Sequence, residues 1–229
     1  MLYQEGGIRR FLKYDNIKQA IFIKRPNRFI AEVEIEGRRH TVHVKNTGRC
    51  RELLIPGAEV YVTEPGTPGR KTRYDLVAVR KGNGILFNID SQAPNKVVKE
   101  WLERQEYDKI ISEYTYGESR IDFYMERGSD RYLMEVKGCT LEIDGIGYFP
   151  DAPTERGVKH LHELAGAAMA GFKAMIAFVI QMDGVSQVLA NVDTHPEFGR
   201  ALEEAESAGV EVLFLKCHVE PDSLMIKDF

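Results

Sequence analysis

Two carboxylates and one ammonium are the most tightly organised chemistry-bearing residues in this chain. The runs Arg120-Ile121-Asp122-Phe123-Tyr124 and Tyr132-Leu133-Met134-Glu135-Val136-Lys137 flank a turn-rich Glu126-Arg127-Gly128-Ser129-Asp130, the pattern of a β-hairpin. A hairpin symmetric about Gly128-Ser129 sets Asp122 opposite Glu135 and Arg120 opposite Lys137, and side-chain alternation puts all four on one side. Opposed residues have Cβ atoms about 4.5–5.5 Å apart, where like charges destabilise a sheet. Three arrangements would compensate: a divalent cation held by both carboxylates, a shared proton, or Arg120 and Lys137 folded over the pair. Only the first gives chemistry directly, since a hard cation with an open position polarises a phosphoryl oxygen while a neighbouring ammonium orients the nucleophile. The Glu-x-Lys triplet by itself is uninformative: with 35 acids and 14 lysines, about two acid-x-Lys triplets are expected by chance and one occurs. Strand context on both sides and the mirrored Asp122 distinguish it from a solvated hairpin face, which is the competing reading.

A second group lies downstream. Thr154, preceded by Pro153, can cap a long helix with the apolar stripe Leu161, Leu164, Ala165, Ala168 and Met169. Its first turns carry Arg156, Lys159 and His160 at i, i+3 and i+4. Basic groups at a helix start can meet a phosphate that the helix dipole also attracts. Solvated helix charge is the plainer alternative. Led in by Phe149-Pro150-Asp151 so soon after the hairpin, the three could lie across the carboxylate pair, where a scissile phosphodiester would sit.

The elements that must position these groups fall into two rhythms. Residues 20–24, 28–35, 40–45, 59–63, 74–80 and 85–89 are short β-branched or aromatic runs separated by Gly, Pro and Asn turns. Five or six strands with no helical period predict a small closed barrel of oligonucleotide-binding (OB) type, an architecture that suits basic, aromatic-bearing faces, with barrel core the plainer place for most of Phe22, Phe29 and Tyr61. Past Ile89 the period changes to a helix over 95–105, a strand over 110–116, the hairpin, the Thr154 helix, a buried strand over 173–180, a helix ending at Gly209 and a strand over 210–215. That order predicts a mixed central sheet with helices on its faces, and so a barrel domain over 1–88 followed by an α/β domain over 89–229.

Composition excludes several classes. Apolar content of 43% with 29% charged residues suits a folded soluble protein. The weakly polar stretch 164–182 is broken by Lys173, short of the roughly 20 residues a membrane span needs. Charges throughout residues 1–15 argue against a signal peptide. Cys50, Cys139 and Cys217 are three widely separated cysteines without metal spacing, as in a cytoplasmic protein with reduced thiols. No Gly-rich phosphate loop or dinucleotide fingerprint is present, so no nucleotide cofactor is expected. The first 83 residues hold 17 Lys and Arg against 9 acids, and the remainder 14 against 26. A basic front and an acidic back divide the labour of attracting a polyanion and concentrating carboxylates.

Asp122 and Glu135-x-Lys137, on strands with a helix before and after, resemble the PD-(D/E)XK nuclease fold. In fuller detail the chain is similar to the sugar fermentation stimulation protein A family. The blocks that carry this are Asn27-Arg28-Phe29, Asn46-Thr47-Gly48-Arg49, Gly117 with Ser119-Arg120-Ile121-Asp122-Phe123, Glu135-Val136-Lys137, Thr140-Leu141, Phe149-Pro150-Asp151-Ala152 and Thr154-Glu155-Arg156-Gly157 leading to Lys159-His160-Leu161. The resemblance implies an OB-type barrel joined to a nuclease-like domain, and DNA binding. It implies Mg²⁺ or Mn²⁺ at Asp122 and Glu135 with the Val136 carbonyl as a further ligand, Lys137 assisting the attacking water, and Glu113 completing the site. Arg28, Asn46, Thr47, Arg49, Arg120, Arg156, Lys159 and His160 are the expected DNA contacts. One departure is visible at Asp193-Thr194-His195-Pro196, where the family commonly has Asp-Pro. The expected activity is sequence-nonspecific DNA binding with metal-dependent phosphodiester hydrolysis. The alternatives are a regulator of sugar metabolism that binds DNA through a degenerate nuclease fold, and an RNA or small-anion binder using the barrel alone.

Overall fold

The computed structural model describes residues 12–46, 48–66 and 68–227. A two-residue strand β1 (Leu12–Lys13) is followed by β2 (Lys18–Asn27), β3 (Ile30–Ile35), β4 (Arg38–Val44), β5 (Glu59–Thr63) and β6 (Asp75–Arg80). These five pair in the order β4-β3-β2-β5-β6, and β4 closes on β6 in parallel through His43↔Asp75 and Val44↔Leu76. The result is a closed barrel of OB type. Alternation explains the closure: Ala31, Val33 and Ile35 of β3 face inward with Phe22, Val42, Val44, Val60, Val62 and Leu76. Phe22 and Tyr61 are buried as expected, but Phe29 is 47% exposed. It sits in the β2–β3 turn, where Asn27 Oδ1 accepts from the Phe29 and Ile30 amides at 2.9 and 3.1 Å and holds the ring outside the barrel.

Strand β7 (Leu86–Asn88) adds to β6 and couples the barrel to the rest of the chain. The second part contains α1 (Ala93–Leu102), β8 (Lys109–Tyr116), β9 (Ser119–Arg127), β10 (Asp130–Cys139), β11 (Leu141–Ile143), β12 (Ile146–Phe149), α2 (Glu155–Met169), β13 (Lys173–Ile180), β14 (Val188–Ala190), α3 (Pro196–Ser207), β15 (Glu211–Glu220) and β16 (Ser223–Ile226). The main sheet runs β1-β16-β15-β13-β10-β9-β8. It is mixed: β10, β13 and β15 are parallel and the outer pairs antiparallel.

Each face of this sheet has its own core. Leu161, Leu164 and Ala167 of α2 and Phe198, Ala201 and Ala205 of α3 pack with Leu133, Ile176 and Phe178. Val97, Val98 and Leu102 of α1 pack with Phe123, Met125, Met134 and Val136 on the other side. Gln181, just past β13, ties the two parts together: its Nε2 donates to Asn88 O, Asn88 Oδ1 and Asp90 O at 3.0–3.2 Å. Among the described residues no helix is long and apolar enough to cross a membrane.

Candidate active site

The β9–β10 hairpin has the register expected from its turn, running from Asp130↔Arg127 to Met134↔Phe123. It stops one step short of Asp122 and Glu135. The cause is the Asp122 side chain itself, whose Oδ2 accepts the Val136 amide at 2.8 Å and so takes the place of a ladder bond. Beyond that point β10 stays with β13 through Cys139, while β9 stays with β8. Asp122 Oδ1 accepts from Asn95 Nδ2 at 2.6 Å, so the first turn of α1 fixes the carboxylate from the side.

Glu135 is buried, and its two oxygens differ. Oε1 accepts from Lys137 Nζ at 2.7 Å and is bonded to His160 Nδ1. Oε2 is buried with no hydrogen-bond partner. The His160 ring is itself buried, and Arg156 Nε donates to its Nε2 at 3.3 Å. An accepting Nε2 places the ring proton on Nδ1, where it is donated to Glu135. Thr154 starts α2 and thereby sets His160: its Oγ1 accepts from the Gly157 amide at 3.1 Å. A Cβ on Gly157 would lie 2.8 Å from Thr154 Cγ2, so the tight first turn needs glycine there.

These surroundings drive the two carboxyls apart. Burial, then the Glu135 charge, raises Asp122 above the usual carboxylate range, against the opposing Val136 amide and Asn95. Burial also raises Glu135, but the His160 hydrogen bond and the Lys137 ammonium outweigh it and leave Glu135 lowered. Glu135 is therefore the committed anion, and Asp122 resists becoming a second one.

Of the expected site residues, Asp122, Glu135, Lys137 and His160 come together. His160 is a buried carboxylate partner rather than an exposed phosphate contact. Arg120 does not face Lys137. It pairs with Thr115 across the β8–β9 ladder, and its guanidinium reaches Glu113 Oε2 at 3.0 Å. Glu113 falls at the register position opposite Asp122, between Ser112↔Phe123 and Tyr114↔Ile121. Its φ of 55° and a side chain 71% exposed carry it outward to Arg120, away from the carboxylate pair. Val136 has its amide on Asp122 and its side chain in the α1-side core. Lys159 is exposed, 3.8 Å from Glu163.

In the barrel, Asn46 is buried and structural: Nδ2 donates to Ile89 O at 3.0 Å and Oδ1 accepts the Gly48 amide at 2.7 Å. Thr47 lies outside the described residues. Arg28 stacks on Phe29 at 4.7 Å from its centroid, and Arg49 borders a surface cavity with Arg25, Arg28 and Arg51.

Sequence reasoning missed Asn95, whose contact with Asp122 spans 27 positions. It also missed a cluster at the starts of α2 and α3, where Glu155, His195 and Glu197 offer ligand atoms within 4.8 Å of one another. His195 Nδ1 accepts the Thr154 amide at 3.4 Å, so the neutral ring keeps its proton on Nε2, towards the two carboxylates. A metal at Nε2 would need the ring to carry its proton on Nδ1 instead and give up the Thr154 amide. The Asp122–Glu135 pair fits a hard divalent ion better: its donors are carboxylate oxygens, and one of them, buried, has nothing else to bind.

Comparison with known proteins agrees with the two-part architecture. Residues 92–223 match the family described as the sugar fermentation stimulation protein RE domain, and residues 23–89 match the SfsA N-terminal OB domain. A sugar fermentation stimulation protein homolog from Desulfitobacterium hafniense (strain DSM 10664 / DCB-2) is 53% identical over 221 residues, covering 95% of this chain and 96% of that protein. One from Ruminiclostridium cellulolyticum is 51% identical over 220 residues, covering 94% and 97%. The structure of Pyrococcus furiosus SfsA in complex with Ca²⁺ superposes with a TM-score of 0.83 at 32% identity, covering 95% of this chain and 96% of that one.

Proposed function

The chain belongs to the sugar fermentation stimulation protein family, and from that premise we propose that it binds DNA with little sequence preference and hydrolyses phosphodiester bonds with a divalent cation at Asp122 and Glu135. The observation that carries this is Glu135 Oε2, a buried carboxylate oxygen without a partner, next to a second, half-buried carboxyl that resists ionising. Leaving such an oxygen unmet costs about 1–3 kcal/mol or more, a cost that a bound Mg²⁺ or Mn²⁺ removes. The Ca²⁺ in the Pyrococcus furiosus relative supports a hard, oxygen-seeking ion.

When bound, the cation supplies Lewis-acid polarisation of a phosphoryl oxygen. The rest falls to the chain's own groups. Asn95 and the Val136 amide hold Asp122 in one orientation. The Lys137 ammonium, anchored on Glu135, offers its remaining protons to an attacking water or to the charge growing on the phosphate. His160 keeps Glu135 ionised, and Arg156 lies on the solvent side of His160. We assign the barrel, to residue 88, to holding the nucleic acid, and residues 89–229 to cleavage. The three cysteines are buried free thiols that burial pushes up to about 12, which suits a reducing cytoplasm.

Incubating plasmid, single-stranded and branched DNA with Mg²⁺ or Mn²⁺ tests the proposal. Lys137→Ala and Asp122→Ala should each lower cleavage at least about 100-fold. Undiminished cleavage by both variants would exclude this site. One observation favours a second reading, a DNA-binding regulator without cleavage: Glu135 Oε1 already has two donors, Lys137 and His160, a pairing that partly stands in for a metal. That protein would bind DNA and cleave none of the three substrates with either ion.

A further inference from the structure

One surface of the barrel is built differently from the rest. Arg39, Arg70, Arg73 and Arg80 are ion-paired with Glu32, Asp75, Glu64 and Glu59. Arg28, Arg49 and Arg51 have no acidic partner among the described residues, and they border one cavity of about 320 Å³ whose lining contains no acid. The Arg25 guanidinium frames it. That side chain donates to the carbonyls of Arg28, Asn46, Gly48 and Arg49 at 2.6–2.9 Å, clamping the β2–β3 turn against the 46–49 loop. Arg25 is thereby spent on structure, while the other three guanidiniums are left for an anion. Beside them stands Phe29, 47% exposed, with the Arg28 guanidinium 4.7 Å from its ring centroid.

The cavity is not isolated. Gly48 lines both it and a second cavity of about 280 Å³ walled by Tyr148, Phe149, Thr140 and Gly138. Gly138 directly follows Lys137, and Thr154, also on that wall, caps the helix that carries His160. Six residues of helix span about 9 Å, so this second cavity lies within one or two nucleotides of the carboxylate pair. A Cβ at Gly48 would come within 2.8 Å of Asn46 Oδ1 and 2.9 Å of Asp151 Oδ2, so glycine lets those two side chains close against the loop between the cavities. The Asp151 carboxylate, which also accepts the Cys50 amide at 3.0 Å, is the one acid beside the junction among the described residues.

We propose that this track holds an unpaired strand of nucleic acid, with a base on Phe29, its phosphates against Arg28, Arg49 and Arg51, and the chain leading past Gly48 to Lys137 and Glu135. An aromatic ring backed by a guanidinium is a stacking surface for any base. In a duplex the base faces are already stacked and cannot reach it. The inference rests on the functional reading above and narrows its substrate to single-stranded DNA or RNA, or to a frayed or flapped end.

Fluorescence anisotropy of the full chain with Ca²⁺, at fixed salt, separates the possibilities. The probes are labelled single-stranded DNA, RNA of the same sequence and the matching DNA duplex. Wild type should bind a single strand more tightly than duplex. Phe29→Ala should weaken single-strand binding about tenfold with duplex affinity and melting temperature unchanged, and Phe29→Trp should restore it. Arg51→Ala should reduce the salt slope by about one. Duplex bound at least as tightly as either single strand, or an equal effect of Phe29→Ala on all three probes, would overturn the inference and leave the functional reading standing. No binding of any probe by wild type would sink the functional reading itself.

Discussion

Asp122 and Glu135 are chemically alike and are treated oppositely. Lys137 and His160 meet one oxygen of Glu135 and hold its carboxyl low, whereas on Asp122 burial and its neighbour's charge outweigh the two neutral donors, Asn95 and the Val136 amide. Without metal, Asp122 should therefore cost stability at neutral pH. Below the ordinary carboxylate range it is protonated both folded and unfolded and costs nothing. As pH rises, the unfolded chain ionises first, and the penalty on the fold grows until the raised folded value has been passed. In Asp122→Asn the oxygen stays on the Val136 amide and the NH2 donates to an Asn95 amide turned over to accept. That variant should consequently melt above the wild type at pH 7 in chelator, with the gap closing on acidification, and scanning calorimetry across pH reads this directly. His160→Ala should act the other way: it strips a donor from a buried anion and should cost about 1–3 kcal/mol in denaturant titration. The Asp122, Glu135 and Lys137 grouping was legible because a hairpin turn fixes its own register over a few residues. The roles of His160 and Asn95 were not, since their partners lie 25 and 27 positions away and no local pattern encodes such contacts. Glu113 misled because register alone does not reveal a backbone turned to positive φ.

At the level of elements, the barrel strands announced themselves by two-residue alternation, which β3 shows cleanly. Which of Phe22, Phe29 and Tyr61 leaves the core was not legible, because an aromatic between strands has the same composition whether it points in or out. The small sheet of β11, β12 and β14 was invisible, its strands being three or four residues long and too short to carry a period. It nevertheless matters, since β12 supplies Tyr148 and Phe149 to the cavity beside the site. The contact between α1 and β10 depends on Gly138. A Cβ there would lie 2.7 Å from Pro94 Cγ and would clash with Gln181 Oε1. Gly138→Ala should cost about 1–3 kcal/mol and, by displacing Pro94, loosen Asn95 from Asp122. Urea melts should show the first effect. Weaker metal uptake in a variant that is still folded at working temperature would show the second.

Over the whole molecule, the basic front and acidic back seen in the sequence become a barrel with unpaired arginines and a sheet that holds one buried carboxylate, Glu135, beside the half-buried Asp122. Gln181, Asn88 and Asp90 hold the two parts at a fixed distance. On the proposed function, a strand held by the barrel would lie beside the carboxylate pair. A grip made mostly to phosphate, as proposed, predicts that affinity for DNA falls steeply and log-linearly with salt and depends little on sequence. Sequence-selective binding with a flat salt response would contradict that division of roles. The central claim is that Asp122 and Glu135 together hold a divalent ion, and titration calorimetry of the metal-free protein with Mn²⁺ or Ca²⁺ tests it most directly. Wild type should take up the ion, and both Asp122→Asn and Glu135→Gln should abolish that uptake while remaining folded. Wild-type heats that persist undiminished in both variants would place the ion elsewhere and contradict the account.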